Sequence, residues 1–263
     1  MNVVCKELHS FENSRYIGRR PLGLIAKVDI HEIHRDTSNS AKLLADVVLF
    51  STLNEDERIA LLGRLRRRRQ RKGEMVFLRG DLGRDLYLIE SGSVKICLTT
   101  QDGKEITLAM LGPGEFFGEL ALLDGEPRSS DAVTMEPSSF LLLERSDFLQ
   151  FVEEHPRVAH RVMEVLSRRL RDNNQLVQDA AFFDIAARLA RVILRLAKSV
   201  GQADASGVTI GRRLTQNELA GMIGTTRESV NKWLMEYERQ GLIERRNGLI
   251  RVLKPEGLQR RIY

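Results

Sequence analysis

Glu119 and Arg128 are the residues whose types and spacing first suggest chemistry, within the stretch GPGEFFGELALLDGEPRSS at positions 112–130. The arginine offers a planar fork of donors suited to phosphate oxygens. The carboxylate is acceptor-only, which suits a sugar hydroxyl. Gly112, Pro113 and Gly114 set a turn, and Gly118 lets backbone N–H groups approach an anion with no Cβ in the way. Leu120 opens a short apolar run to Leu123 that can begin a helical turn, and Ser129 adds a hydroxyl. Taken singly, a Glu and an Arg about ten residues apart form a solvated surface pair. The whole string describes a socket for one phosphate and one ribose.

A second constellation lies in LTQNELAGMIGTTRESVNKWLMEYERQGLI, positions 214–243. It predicts two helices joined by a tight turn at Gly224. Thr215 with Glu218 makes a capping-box pattern for the first helix, and Thr225 with Glu228 can do the same for the second. Val230, Leu234 and Tyr237 recur at i, i+4 and i+7 and should face a core. Thr226, Arg227, Glu228, Asn231 and Lys232 then occupy the start and the opposite face of the second helix. Arg pairs with guanine and Glu accepts from cytosine in the major groove, while Lys232 can reach guanine or phosphate. A Glu on a DNA surface is otherwise repulsive, so Glu228 beside Arg227 suggests base reading more than phosphate clamping.

The charge distribution agrees with that division. The 263 residues carry a net charge of +5, with 42% hydrophobic residues. From position 186 onward there are 15 Lys and Arg against 7 Asp and Glu, whereas the first 185 residues hold 26 against 29. A basic module attached to a near-neutral one is the footprint of a partner with phosphates. Cys5 and Cys97 are too few and too far apart for a metal cluster or a disulfide framework. No run approaches the ~20 apolar residues that span a bilayer, and the N-terminus lacks the order of a signal peptide. A soluble, cytoplasmic protein with no membrane partner is expected.

Along the chain, residues 1–40 lack sustained periodicity and read as an extension, with short strand possibilities at VVCKEL and at 25–33. Helical patterns follow at 41–50 and 54–65, the second capped by Asn54. The cationic block RLRRRRQRK at 64–72 tempts one towards nucleic acid, yet an exposed first strand is the plainer reading. From Gly73, short strand-like pieces alternate with turns: MVFLR, DLYLIESG, SVKICLTT, EITLAML, SSDAVT and SFLLLE. Asp102-Gly103 is a hairpin signal, and Cys97 reads as a buried small hydrophobe. This rhythm predicts an antiparallel roll holding the Glu119–Arg128 stretch.

A short helix at 146–154 precedes a long helical stretch from Pro156, with a hinge at Phe182-Phe183-Asp184 and a second amphipathic helix after it. Met163, Leu166, Leu170, Asn173, Val177 and Ala180 recur every three or four residues as a coiled-coil seam, which predicts a parallel homodimer. Asn173 and Asn174 interrupt it. A seam amide can specify register; alternatively the two donate to a ligand lying against the helix. A polar connection is expected at 201–207. Asn247-Gly248 marks a hairpin whose Arg245, Arg246 and Arg251 can touch a nucleic-acid backbone, Trp233 packs in the core, and the tail after Pro255 is loosely held.

The strings FGELAL, PRSS and TTRESVNKW, in that order around a long helix, resemble the cyclic AMP receptor protein and fumarate and nitrate regulator (Crp-Fnr) family of bacterial transcription regulators, over about residues 43–254. The resemblance implies an α+β architecture. An N-terminal cyclic-nucleotide-binding β-roll (double-stranded β-helix or jelly roll) would span 41–154, a dimerisation helix 155–182, and a winged helix-turn-helix DNA-binding domain 183–263. It implies that Gly118, Glu119, Leu120, Arg128 and Ser129 hold the ribose and cyclic phosphate, and that Asn173 and the partner's Asn174 reach the purine. The family commonly places hydroxyls at those two positions, so the amides here keep cyclic GMP beside cyclic AMP as the allosteric ligand. It also commonly carries an Arg where this chain has Lys232, which gives up bidentate geometry. Double-stranded DNA, a second copy of the chain and RNA polymerase are the implied partners, with no catalytic residue and no metal. A same-fold regulator that needs no nucleotide, and a regulatory subunit of a cyclic-nucleotide-controlled enzyme, are the alternatives.

Overall fold

The structure is a computed structural model, and it describes residues 44–101, 105–204 and 206–262. The N-terminal extension with its two possible strands, Cys5, and the Asp102-Gly103 turn lie outside the described residues.

A 3-10 turn at Val48–Phe50 leads into helix α1 (Glu55–Leu62), whose N-terminus is closed by a reciprocal pair: Asn54 Oδ1 accepts from Glu57 N–H at 2.9 Å, and Glu57 accepts from Asn54 N–H at 2.8 Å. Then comes the roll: β1 (Arg66–Gln70), β2 (Met75–Phe77), β3 (Asp85–Ser91), β4 (Val94–Thr99), β5 (Glu105–Leu111), β6 (Phe116–Phe117), α2 (Glu119–Asp124), β7 (Asp131–Thr134) and β8 (Ser138–Glu144). These strands form two antiparallel sheets, ordered β1-β8-β3-β6 and β2-β7-β4-β5. The two-residue strand β6 was not foreseen, because it is too short to show any alternation.

β3 and β8 read as continuous apolar runs because both of their faces are covered. Tyr87, Ile89, Phe140 and Leu142 meet Phe77 and Phe117 between the sheets. On the other side Leu86, Leu88, Leu141 and Leu143 pack under Phe50, Leu61, Phe148 and Phe151. The arginine-rich β1 is an exposed edge strand, as the plainer reading had it. Arg66 donates to Asp85 at 2.9 Å and Arg67 to Glu90 at 2.7 Å, and a charged edge resists pairing with a second sheet. Cys97 is buried, and that burial pushes its thiol up to about 11.

Helix α3 (Arg145–Glu154) turns into α4 (Pro156–Phe182), which ends at Phe183-Asp184; Asp184 then caps α5 (Ile185–Val200) by accepting from Ala187 N–H at 2.8 Å. One side of α4 buries Val158 and Val162 against the roll. Met163, Leu170 and Val177 recur every seven residues on another side and are 53%, 61% and 69% exposed. Leu166, assigned to the same seam, instead packs partly against the roll core.

The C-terminal module contains β9 (Gly201–Asp204), β10 (Gly207–Ile210), α6 (Gln216–Ile223), α7 (Arg227–Arg239), β11 (Ile243–Arg246), β12 (Leu249–Val252) and α8 (Pro255–Gln259). Its sheet runs β11-β12-β10-β9. Two expectations are corrected here. The stretch 201–207, read as a polar connection, holds strand β9 and the first residue of β10, since antiparallel backbone pairing between β9 and β10 supplies what the polar sequence lacks. The tail is held by α8, with Leu258 and Ile262 buried in the module core. That core gathers Leu189, Ile193, Leu219, Val230, Leu234 and Tyr237, with Trp233 packed against it.

Candidate functional site

Gly118 sits at φ +83° immediately before α2, a backbone conformation that disfavours any side chain. A Cβ there would also stand 2.5 Å from Arg128 Nη1. The space it leaves is filled by the guanidinium: Arg128 Nη1 donates to the Gly118 carbonyl at 2.6 Å and Nη2 to the Asp85 carbonyl at 2.8 Å. Its Cζ lies 4.3 Å from the Phe77 ring centroid and 5.7 Å from that of Tyr87. Arg128 is only 5% exposed, and its Nε is buried with no acceptor among the described residues. Burial pulls its pKa down, opposed by Tyr87, Asp85 and Glu119. A buried donor without an acceptor is costly, and an anion beside it would remove that cost.

Glu119, the first residue of α2, is 4% exposed. Its Oε1 accepts from Arg169 Nη1 at 2.7 Å, and Arg169 also donates to the Phe116 carbonyl while lying over the Phe116 ring. Arg169 belongs to α4, so this ion pair ties the long helix to the roll.

These groups face one cavity of about 510 Å³. Gly118, Glu119, Leu120, Arg128, Ser129 and Asn173 all line it, with Phe77, Phe117 and Leu111 among its apolar walls. Six of the seven residues expected to bind nucleotide are thus brought together from the β6–α2 segment, the turn before β7, and α4. Asn174 is exposed and does not line the cavity of its own chain. The volume and the mix of apolar walls with a few convergent polar groups fit a small ligand.

Three participants were not foreseen. The Asp85 carbonyl acts through its backbone, which no side-chain pattern reveals. Phe77, on β2, acts as the ring under a guanidinium that enters from the turn before the neighbouring strand β7. Arg169 had a usable signal: it lies four residues before Asn173 and so on the same face of the helix.

In the C-terminal module, Thr215 and Glu218 form the expected capping box on α6, and Gly224 ends that helix at φ +62°. The second cap differs from expectation. Thr226, not Thr225, is the N-cap of α7, its Oγ1 accepting from Ser229 N–H at 3.3 Å. With the cap one residue later, Ser229 and not Glu228 stands at the third helical position, so α7 has a single side-chain cap and no capping box. Arg227, Glu228 and Lys232 are exposed and Asn231 is half-buried. Glu228 is held below the usual carboxylate range by its own backbone N–H and the Thr226 hydroxyl. Tyr237 buries its ring and donates to the Ala186 carbonyl at 2.6 Å, fixing α7 against α5.

On the wing, Arg245 pairs with Glu238 at 2.6 Å and Arg251 is bound to Asp204, so two of the three arginines expected to meet a backbone are held by neighbouring carboxylates. Arg246 is exposed. The module rests on the roll through α6: a Cβ on Gly221 would stand 2.8 Å from Thr107 Oγ1 and 3.0 Å from Glu105 Oε1.

Comparison with known proteins agrees with this division. Residues 67–155 match the model of the cyclic nucleotide-binding domain, and residues 187–261 that of the Crp-like helix-turn-helix domain. A CRP-like cAMP-activated global transcriptional regulator of Mycobacterium tuberculosis is 34% identical over 190 residues, covering 72% of this chain and 85% of that protein. The cyclic AMP receptor protein of Thermus thermophilus is 36% identical over 204 residues, covering 78% and 91%. Among solved structures, a c-di-GMP responsive global regulator of Xanthomonas campestris superposes with a TM-score of 0.68 at 26% identity, covering 76% of this chain and 99% of that one. With a cyclic nucleotide-binding roll, a long helix and a helix-turn-helix in this order, the chain belongs to the Crp-Fnr family of transcription regulators.

Proposed function

We propose that this regulator works as a homodimer that takes a 3',5'-cyclic nucleotide in the roll cavity and answers by changing its grip on DNA. The observation that carries the reading is the meeting of Glu119, Arg128, Ser129 and Asn173 around one cavity that abuts the exposed seam of α4. Arg128 and Ser129 hold the cyclic phosphate, Glu119 the ribose hydroxyl, and Asn173 with the partner's Asn174 the purine. Cyclic AMP is the first choice, supported by the relatives whose names specify it. The amide of Asn173 has donor and acceptor faces, so cyclic GMP is the second.

The nucleotide acts by differential contact. It touches the roll through Glu119 and Arg128 and the helix through Asn173, and it shifts the equilibrium only as far as it prefers one arrangement of the two. The paired helices α7 then read the major groove about one DNA turn apart, with Thr226, Arg227, Glu228, Asn231 and Lys232 as the reading set. No step of chemistry is involved. RNA polymerase is the further partner, and the cytoplasm the compartment; no helix among the described residues is long and apolar enough to cross a membrane.

The ion pair between Glu119 and Arg169 favours one other reading, a regulator of the same fold that needs no nucleotide, because the carboxylate is already satisfied from within the chain. Isothermal titration of the purified protein with cyclic AMP and cyclic GMP separates the two. Saturable heat with one of them supports the nucleotide reading, and no heat with either refutes it.

A further inference from the structure

Helices α6 and α7 are connected by more than the turn at Gly224. Gln216, the first residue of α6, bridges two residues of α7: its Oε1 accepts from Arg227 Nε at 3.1 Å, and its Nε2 donates to Asn231 Oδ1 at 2.8 Å. The direction of this chain of bonds follows from its first member. An arginine nitrogen can only donate, so the glutamine must turn its oxygen to Arg227 and its nitrogen to Asn231. Asn231 must then offer its oxygen to Gln216, which leaves its Nδ2 as the freer end, 3.7 Å from the weakly accepting Met235 Sδ.

Two consequences follow for the face of α7. Arg227 commits Nε to Gln216, and neither terminal nitrogen has an acceptor among the described residues. Those two nitrogens are the fork that pairs with guanine O6 and N7. Asn231, which alone can turn either end of its amide outward, is locked with a donor outward.

We infer that Gln216 is a specificity-determining residue that sets the hydrogen-bonding polarity of the DNA-reading face. It holds Arg227, a donor in any case, and orients Asn231 as a second donor, so that both present donors to acceptor edges, those of guanine or of thymine O4. This rests on the reading of α7 as the helix that enters the major groove. Gln216 itself needs no contact with a base, so it is a positioning residue.

Gln216→Glu is the informative change. A carboxylate can only accept, so it keeps Arg227 and obliges Asn231 to rotate and donate its Nδ2, which leaves Oδ1 as the freer end. An acidic residue at the first position of a helix is favourable to the helix. Gln216→Ala removes the bridge altogether and tests the position without adding a charge.

The full-length wild type, Q216E and Q216A would each be used to select duplexes from a randomised DNA pool with cyclic AMP and cyclic GMP present, after matching their thermal unfolding. At the base pair facing Asn231, wild type should select guanine or thymine, and Q216E should exchange that preference for cytosine or adenine by about tenfold, the discrimination of one good base contact. Q216A should relax the preference at the positions facing Arg227 and Asn231 together. Selection of the same motif with the same base frequencies by all three proteins overturns the inference, as does a uniform loss of affinity across sequences in the variants. If wild type itself selects no motif, the major-groove reading of α7 fails and the inference falls with it.

Discussion

Arg169 and Glu119 meet at 2.7 Å, with 25% of the arginine side chain exposed and 5% of the carboxylate. One belongs to α4, which carries the exposed seam, and the other to the first turn of α2 beside the cavity, so a single contact joins the long helix to the cavity wall. Removing one partner of such a pair strands the other. Because Glu119 is the more buried, R169A should destabilise the nucleotide-free protein more than E119A does. The two changes should be coupled by about 0.5–3 kcal/mol in a double-mutant cycle of thermal or urea unfolding. Additive effects would show that the pair is incidental.

Arg128 binds two backbone carbonyls and keeps a buried Nε without an acceptor. R128A is expected to weaken cyclic-nucleotide binding by about 1.5–3 kcal/mol, the range for a hydrogen bond to a charged group. R128K should fall between, since it keeps the charge but loses the fork. Titration calorimetry reads both, and an unchanged affinity for R128A would remove this residue from the site.

Met163, Leu170 and Val177 form the uncovered stripe of α4. Burying a side chain of this size contributes about 1.5–3 kcal/mol, and two copies of the stripe facing each other bury several. L170D or V177D should therefore convert a dimer into a monomer in sedimentation velocity, and site-specific DNA binding should be lost with it. A wild type that sediments as a monomer at micromolar concentration would contradict the seam.

Gly221 lets α6 lie against β5. Its two nearest neighbours have little freedom: Thr107 is buried, and Glu105 is held by Lys95 Nζ at 2.7 and 2.6 Å. G221V is expected to part the DNA module from the roll, read as a larger radius of gyration in small-angle scattering with helical content unchanged. An identical scattering curve would mean that other contacts hold the modules together.

Much of this molecule was written in local pattern. The short apolar runs of β3 and β8, the 3.6 period of α4 and α5, the caps at Asn54, Thr215 and Asp184 and the Asn247-Gly248 turn depend on neighbours a few residues away. The same is true of the grouping of Gly118, Glu119, Arg128 and Ser129, which a single short stretch encodes. What local pattern could not decide is what distant segments do to one another. Strand β9 exists because β10 pairs with it, and the tail is ordered because Leu258 and Ile262 find a core. Arg169 reaches Glu119 across fifty residues, the Asp85 carbonyl takes Arg128 through forty-three, and Gln216 bridges two residues of another helix. Hydrogen bonds are indifferent to separation along the chain. Residue types announce which groups can bind, and only the packing of sheets and helices brings a given donor within 3 Å of a given acceptor.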